Sequence, residues 1–235
     1  MTSKVLESIH GGLVVSCQAY PGEPMRDPRI MTAIAQAVVL GGAAGIRAQG
    51  LEDLRSIRAS VDVPLIGLVK VGTDGVFITP TVSDCVSVAQ TGADIVALDG
   101  TRRPRPDGST LQDCFDAIHA EGGLVMADCG SSTGAAASLD AGADCLGTTL
   151  GGYTGDRPRT DGPDFDFLSE LVALGEAPVL AEGRIRSPED GVRCLRLGAY
   201  AVVVGTAITH PTSITNRFAR ALAGQEPQGT GVPGL

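Results

Sequence analysis

Three ionisable residues lie near the ends of apolar segments, and their side chains are of the types that exchange protons. Lys70 ends PLIGLVK, Asp128 comes late in LVMADCG, and Glu182 comes late in PVLAEGRI. Each shares the alternating parity of the apolar residues before it, so an extended strand would point them to the same side. Amines and carboxylates held in this way act as acids and bases. The spacing predicts catalytic roles for Lys70 and Glu182, with Asp128 beside them.

Three other segments carry polar residues at the matching places, namely Gln18, Arg47 and Asp99. The carboxyl ends of parallel barrel strands open at one mouth, where catalytic groups gather. These side chains are therefore expected to meet the first three in a single site.

Each of these residues also has a structural alternative. Lys70 could be a surface lysine, and Glu182 could be a buried ion-pair partner of Arg47 or Lys70. Arg47 could only bridge carboxylates, Asp128 could cap the following helix, and Gln18 could bond backbone groups at the mouth. The sequence alone leaves these alternatives open, although the convergence of so many polar residues favours a functional site.

Two glycine-containing turns predict a phosphate site. Gly183 and Arg184 follow the seventh apolar segment, and Gly205 and Thr206 follow the eighth. Glycine lets an anion approach backbone N–H groups closely, and many barrels bind phosphate in these two turns. The alternative is that the glycines serve only tight turns. Two weaker candidates are expected to pack nearby or to line the rim: Tyr153 and His210.

The elements that must position these residues are eight short apolar segments separated by stretches with helical spacing. The segments begin at Leu13, Ala43, Pro64, Asp94, Leu124, Asp144, Pro178 and Ala201. Strand and helix in strict alternation predict right-handed crossovers and a parallel sheet, here a single (β/α)8 TIM barrel over residues 1–235. A doubly wound open sheet is the alternative, but no glycine-rich loop follows the first strand. The loop 151–164 is long enough to form a mobile cover.

Composition excludes several classes of function. The 235 residues carry 27 acidic against 18 basic side chains, a net charge of −9, and contain no tryptophan, so nucleic-acid binding and anionic membrane binding are not expected. Six scattered cysteines without CxxC spacing predict neither a disulfide framework nor a zinc site. A signal peptide and a membrane span are also not expected, which predicts a cytoplasmic protein. The oligomeric state stays open, with a homodimer as one expectation.

The motifs carry a specific resemblance. They include SCQAYPGEP from Ser16, GGAAGIRAQG from Gly41, LIGLVK from Leu65, ITPT from Ile78, GADIVALDGTRRPRPDG from Gly92, MADCGS from Met126, GTTLGGYT from Gly147, AEGRI from Ala181 and GTAIT from Gly205. In this order and spacing the chain resembles the N-acetylmannosamine-6-phosphate 2-epimerase family. The resemblance implies a (β/α)8 barrel that interconverts N-acetyl-D-mannosamine 6-phosphate and N-acetyl-D-glucosamine 6-phosphate in sialic acid and amino-sugar catabolism, without a metal or redox cofactor.

The same resemblance implies roles for individual residues. Lys70 and Glu182 match the family's catalytic lysine and glutamate. The family's substrate-contacting positions correspond to Gln18, Arg47, Asp128 and Tyr153 of this chain. Its phosphate-binding positions correspond to Gly183, Gly205 and Thr206. The chain departs from the family at Arg184, where a second glycine is common, and at His210, where arginine is common. If His210 contacts the phosphate, affinity should weaken as pH rises through the pKa of the histidine.

The implied reaction sets demands on the site. Inversion at C2 requires removal of a proton next to the carbonyl of the open-chain sugar and its return to the opposite face. Lys70 can take that proton only when neutral, so burial or Arg47 must lower its pKa, whereas Glu182 would raise it. Arg47 and Gln18 are candidate donors to the oxygen at C1. One-base and two-base routes stay open, as do two other functions: a different phosphosugar barrel enzyme and a non-catalytic phosphosugar-binding protein.

Overall fold

A computed structural model describes residues 3–225, in which eight parallel strands pair in chain order and close into a barrel. The strands are β1 (Leu13–Cys17), β2 (Gly45–Gln49), β3 (Leu65–Leu68), β4 (Ile95–Asp99), β5 (Leu124–Asp128), β6 (Cys145–Gly147), β7 (Val179–Glu182) and β8 (Ala201–Val204). The ring closes where β1 pairs with β8, with Val14 beside Val203. The predicted TIM barrel is confirmed, and each strand lies in a segment identified from the sequence.

Seven helices cross over between successive strands: α2 (Pro28–Leu40), α3 (Leu51–Arg58), α4 (Val82–Ala89), α5 (Leu111–Ala120), α6 (Ser132–Asp140), α7 (Phe165–Leu174) and α8 (Pro188–Arg196). Helix α1 (Lys4–Ile9) precedes β1, and α9 (Thr206–Thr209) and α10 (Pro211–Leu222) follow β8. Hydroxyl side chains begin α4, α5 and α8 in reciprocal capping boxes with an aspartate three residues on. Of the helices in residues 3–225, none is long and apolar enough to cross a membrane.

The repeated Gly-Ala-Asp sequences make the turns from helix to strand. Gly92 and Gly142 adopt φ of 86° and 96°, the left-handed region that glycine enters without steric cost. The aspartates that follow, Asp94 and Asp144, each accept a hydrogen bond of 2.8 Å from an amide at the start of the neighbouring strand, β3 and β5 respectively. The motif therefore ends a helix and also sets the pairing of two strands.

The side chains that fill the barrel interior are those of the alternating parity that the sequence predicted to point inward. Ile66, Leu68, Met126 and Leu180 belong to the inner cluster, whereas Leu65 packs outward against the helices. The six cysteines are all free and buried. The ends of the predicted domain, residues 1–2 and 226–235, lie outside the described residues.

Candidate active site

A cavity of about 250 Å³ opens at the carboxyl ends of the strands. Nine of the residues predicted for the site line it: Gln18, Lys70, Tyr153, Glu182, Gly183, Arg184, Gly205, Thr206 and His210. The other two, Arg47 and Asp128, lie beneath it with side chains 1% and 0% exposed. The structure therefore brings all eleven to one end of the barrel, in two layers.

The lower layer is a buried ion network. Arg47 donates two hydrogen bonds to Asp128, of 3.1 and 2.6 Å, and its Nη1 lies 3.1 Å from Oε2 of Glu182. Arg47 comes from β2, Asp128 from β5 and Glu182 from β7, so the network crosses the barrel. The structural alternative that paired Glu182 with Arg47 is correct as a contact. Glu182 nevertheless also lines the cavity.

Two threonines that were not among the predicted site residues complete this layer. The hydroxyl of Thr149 lies 2.6 Å from Asp128 Oδ1 and 3.2 Å from Glu182 Oε2. Thr148 donates to the carbonyl of Glu182 at 2.8 Å and accepts from its amide at 2.9 Å. Both residues follow the three-residue strand β6, and the hydroxyl of Thr148 extends the contact between β6 and β7 beyond their last backbone pair, Gly147 with Leu180. Their only sequence signal is their place in GTTLGGYT.

Lys70 lies two residues beyond the end of β3 and faces the cavity. Its ammonium group is 5.0 Å from the ring centroid of Tyr20, which also lines the cavity. Burial and, secondly, the positive charge of Arg47 lower the pKa of Lys70 to about 8, against the opposing effects of Glu182 and Asp128. The direction expected from the sequence is confirmed. A substantial fraction of Lys70 is therefore neutral near pH 8 and able to accept a proton.

The pKa of Glu182 is raised, whereas that of Lys70 is lowered. Burial, with a further contribution from the charge of Asp128, raises the pKa of Glu182 to about 7, although Arg47, Thr149 and Lys70 act to lower it. The side chain therefore holds a proton through a larger part of the neutral range than an ordinary glutamate. A base and an acid with pKa values brought towards neutrality thus face one cavity.

The two predicted phosphate turns border the same cavity. Gly183 and Arg184 both have positive φ, 110° and 57°, which is strained for a residue that carries a side chain. Gly205 precedes the short helix α9, whose first residue is Thr206, and no side chain caps its N-terminus. The exposed N–H groups of this turn could receive an anion. Binding of phosphate at these residues stays a prediction.

The side chain of Arg184 does not point into the predicted phosphate turn. Its guanidinium donates to the carbonyls of Gly162 and Gly151 at 2.9 and 3.0 Å and to the hydroxyl of Thr160 at 3.0 Å. It also lies over the ring of Tyr153, with 5.3 Å between the guanidinium carbon and the ring centroid. The loop expected to be a mobile cover is thus fastened to the barrel by this residue.

His210 is likewise engaged by protein groups. Its Nε2 lies 2.6 Å from Glu23 Oε1, and its Nδ1 accepts from the amide of Ser213 at 3.3 Å, as a helix cap. The ring therefore joins the β1–α2 loop to the start of α10. Gln18 differs, because its amide nitrogen donates to Ser16 at 2.9 Å while its Oε1 is buried without a partner and can accept a bond from a ligand.

Within residues 3–225, no group of three or more His, Cys, Asp or Glu side chains is placed to hold a metal ion. The mouth of the barrel presents a lysine and a glutamate whose pKa values lie near neutrality, and a buried arginine–aspartate pair lies beneath them. Such a site defines an enzyme that transfers protons. The family described as "Putative N-acetylmannosamine-6-phosphate epimerase" matches residues 31–224. The chain belongs to this family.

Individual relatives agree with the assignment. A protein of Cutibacterium acnes, named "Putative N-acetylmannosamine-6-phosphate 2-epimerase", is 53% identical over 224 residues, covering 94% of this chain and 98% of the relative. A relative of the same name in Corynebacterium glutamicum is 47% identical, with 94% and 97% covered.

Solved structures with the same fold are also similar to this chain. The N-acetylmannosamine-6-phosphate 2-epimerase from Clostridium perfringens superposes with a TM-score of 0.90 at 41% identity, covering 94% of this chain and 97% of that one. A thiamine phosphate pyrophosphorylase from Pyrococcus furiosus has a TM-score of 0.60 at 18% identity, covering 92% and 96%, and shares the fold alone.

Proposed function

We propose that this chain is an isomerase that interconverts N-acetyl-D-mannosamine 6-phosphate and N-acetyl-D-glucosamine 6-phosphate by moving the proton at C2. The observation that carries the proposal is the pair of Lys70 and Glu182 in one cavity, with pKa values of about 8 and about 7. Family membership supplies the substrate, because relatives of matching length carry that name.

Lys70 is the base in this reaction. Once the sugar opens to its aldehyde, the C2 proton becomes acidic because the negative charge spreads to the carbonyl oxygen. The neutral amine of Lys70 takes that proton, and its charged form is then stabilised by the negative charge of Asp128, joined by Glu182 once Glu182 has lost its proton. Burial thus makes the amine available, while Asp128 lowers the free energy of the state after transfer.

Glu182 supplies the acid on the two-base route. In its protonated form it returns a proton to C2 from the face opposite Lys70, and Arg47 then stabilises the carboxylate left behind, at 3.1 Å. The free Oε1 of Gln18 accepts from a hydroxyl or N–H of the sugar. The 6-phosphate is held by the turns at Gly183 and Gly205, a proposal supported by their place on the cavity wall.

The deciding experiment follows N-acetylmannosamine 6-phosphate by proton NMR in heavy water with the enzyme present. A second C2 configuration should appear, with deuterium at C2. Lys70→Met keeps most of the apolar stem and removes the amine, so turnover and exchange should fall by at least ~10²-fold, the low end for a lost general base.

The sequence supplies a matched control for this experiment. Lys4 is the only other lysine, and it is exposed at the start of α1. Lys4→Met should turn over substrate like the unaltered enzyme. Near-normal turnover by Lys70→Met would overturn the assignment of the base. Turnover of another sugar phosphate without epimerisation would favour a different barrel enzyme, and tight binding without exchange would favour a sensor.

Two further expectations join the proposal. We propose a homodimer that covers α10, because none of its residues is buried and Phe218 and Leu222 are 62% and 88% exposed. Light scattering on the intact protein and on Phe218→Glu tests this, since the variant should lower the dimer fraction.

A cytoplasmic site of action is supported by the six free cysteines, which suit a reducing compartment.

A further inference from the structure

A buried, strained threonine lies next to the catalytic lysine. Thr79 has φ of 43° and a side chain with no exposed surface. Left-handed backbone is unfavourable for a β-branched residue, so the surrounding contacts must hold it there. The reaction proposed above gives Thr79 no role, although ITPT was among the motifs that carried the resemblance.

The contacts of Thr79 fix the chain on either side of Lys70. Its amide donates to the carbonyl of Val69 at 2.8 Å, and its hydroxyl lies 3.3 Å from the amide of Val69. The same hydroxyl donates to the carbonyl of Ala97, in β4, at 2.7 Å. Lys70 itself pairs with Ile78 in an isolated antiparallel bridge.

This bridge matters because Lys70 lies outside the barrel ladder. Strand β3 ends at Leu68, and its register with β4 ends earlier, where Gly67 pairs with Val96. The backbone that carries Lys70 therefore depends on the returning segment 77–80 for its position, rather than on the neighbouring strand.

Arg105 holds that returning segment in place. Its side chain is buried, and it donates to the carbonyls of Pro80 at 3.3 Å and Thr79 at 3.5 Å, and also to that of Asp99. Among the described residues it makes no ion pair with a carboxylate, so its charge is offset by carbonyl dipoles. A guanidinium can bind several carbonyls at fixed angles, which an ammonium cannot do.

We propose that Arg105 is a positioning residue, which acts through Thr79 to hold Lys70 at the cavity wall. This gives a function to the otherwise unassigned motif DGTRRPRPDG after β4. The inference rests on the proposed function for the role of Lys70, but the position of the amine can be measured without any turnover.

The measurement is the pH dependence with which an amine reagent, acetic anhydride, modifies Lys70. Lys4 provides an internal standard within the same digest, because the chain has only these two lysines. Charged groups that influence the amine come from three strands, namely Arg47 on β2, Asp128 on β5 and Glu182 on β7.

Arg105→Lys keeps the charge but loses the planar fork. Lys70 then lies in a looser and wetter site, so the midpoint of its modification should move upwards from about 8 towards 10.5. The new lysine is resolved as a separate peptide. In turnover, kcat should fall about 10- to 100-fold with KM changed little, because misplacement of the base affects the chemical step. Arg102→Lys, an exposed change in the same loop, should leave both measurements unaltered.

A second pair of variants keeps the proposal testable if Arg105→Lys does not fold. Thr79→Val keeps the shape and the strained φ but removes the hydroxyl, whereas Thr79→Ser keeps the hydroxyl. The proposal expects the midpoint to move in the valine variant and to stay in the serine variant. An unchanged midpoint and kcat in folded Arg105→Lys, or in Thr79→Val, would overturn it. A chain without epimerase activity but with these midpoint shifts would refute the proposed function and leave the positioning role intact.

Discussion

Arg47 is one buried cation facing two carboxylates, Asp128 and Glu182. Asp128 accepts two guanidinium bonds, of 2.6 and 3.1 Å, and has no exposed surface, whereas Glu182 has a single contact at 3.1 Å and is 12% exposed. Arg47 therefore interacts more strongly with Asp128 than with Glu182. This unequal sharing leaves Glu182 as the carboxyl group that can hold a proton and reach the cavity.

The first prediction concerns the pH dependence of kcat/KM, which reports groups in the free enzyme. If Lys70 must be neutral, activity falls as pH drops through about 8; if Glu182 must be protonated, activity falls as pH rises through about 7. We expect a bell-shaped profile with its maximum between these values, which belong to the coupled pair. The substrate phosphate ionises near pH ~6 and lies below both limbs.

Glu182→Gln provides the check on this profile, because the amide does not titrate. Measured as deuterium exchange at C2 of the epimer that Lys70 deprotonates, the alkaline limb should disappear while the acid limb remains. A plateau at high pH in the unaltered enzyme would instead support a one-base route that uses Lys70 alone.

The second prediction concerns Thr149, whose single hydroxyl proton lies between two carboxyl groups. Thr149→Val keeps the shape and removes this donor from Asp128 and Glu182. The pKa of Glu182 should rise, so the alkaline limb should move to higher pH, and the protein should lose about 1–3 kcal/mol of stability. Thr149→Ser should retain both properties. Denaturant unfolding and pH profiles measure the two effects, and an unmoved limb in the valine variant would contradict the contact.

Among the elements, the loop between β1 and α2 is held to α10 by His210. The sequence made His210 a candidate for contact with the substrate, which stays a prediction; in the structure His210 lines the cavity while its ring nitrogens contact Glu23 and Ser213. Burial raises the pKa of Glu23, yet hydrogen bonds from the Tyr20 amide and from His210 outweigh it and lower the pKa overall. Glu23 therefore stays charged at neutral pH and keeps the ring in place.

The third prediction separates the two contacts of His210. Asparagine can cap α10 through its carbonyl but is too short to reach Glu23, whereas glutamine can reach Glu23. His210→Asn should therefore raise KM by about 3- to 10-fold, the range for a lost hydrogen bond of ~0.5–1.5 kcal/mol. His210→Gln should raise it less. Steady-state kinetics decide, and equal KM values for both variants would mean that the link to Glu23 does not support binding.

The fourth prediction concerns the loop 151–164, which Arg184 fastens through three hydrogen bonds. Arg184→Gly restores the residue common in the family and relieves the positive φ of 57°. The loop should become more mobile, so trypsin should cleave faster after Arg159 while the barrel remains intact; Arg157 precedes Pro158 and is not a tryptic site. Arg196→Ala, an exposed change on α8, is the control. Equal cleavage rates in the two variants would show that Arg184 does not fasten the loop.

Periodic elements were predictable from the sequence, whereas most side-chain contacts between elements were not; the pair of Arg47 and Glu182 was one of the alternatives that the sequence offered. The parity of apolar residues identified Lys70 and Glu182, because alternation along a strand is a local property. Thr149 and Thr79 have no periodic signal, since their roles depend on distances between strands. The family position of Arg184 indicated phosphate, but its side chain is long enough to reach a loop some twenty residues away in sequence.

At the scale of the whole molecule, the charge of the cavity wall is opposite in sign to the net charge of the chain. The chain has a net charge of −9, yet the lining contributed by residues 3–225 includes five arginines and only one carboxylate, Glu182. The arginines are Arg159, Arg184, Arg186, Arg217 and Arg220. A concave site lined by one sign of charge attracts ions of the other sign.

The fifth prediction follows from this distribution. For the phosphorylated sugar, kcat/KM should fall about 3- to 10-fold between low salt and ~0.5 M salt, because the Debye length shortens to a few ångströms. Unphosphorylated N-acetylmannosamine should react far more poorly and show no such dependence. Kinetics over a salt series test this, and comparable specificity constants for the two sugars would remove the phosphate assignment.

The pairing of β1 with β8 has a consequence for how the protein is made. The first strand leaves the ribosome early but meets its last neighbour only when residues 201–204 have emerged. Until then the nascent barrel has two open edges, and the site lacks Gly205 and Thr206. Truncated products of translation should therefore be inactive and prone to association through those edges, so activity would arise only at the end of synthesis.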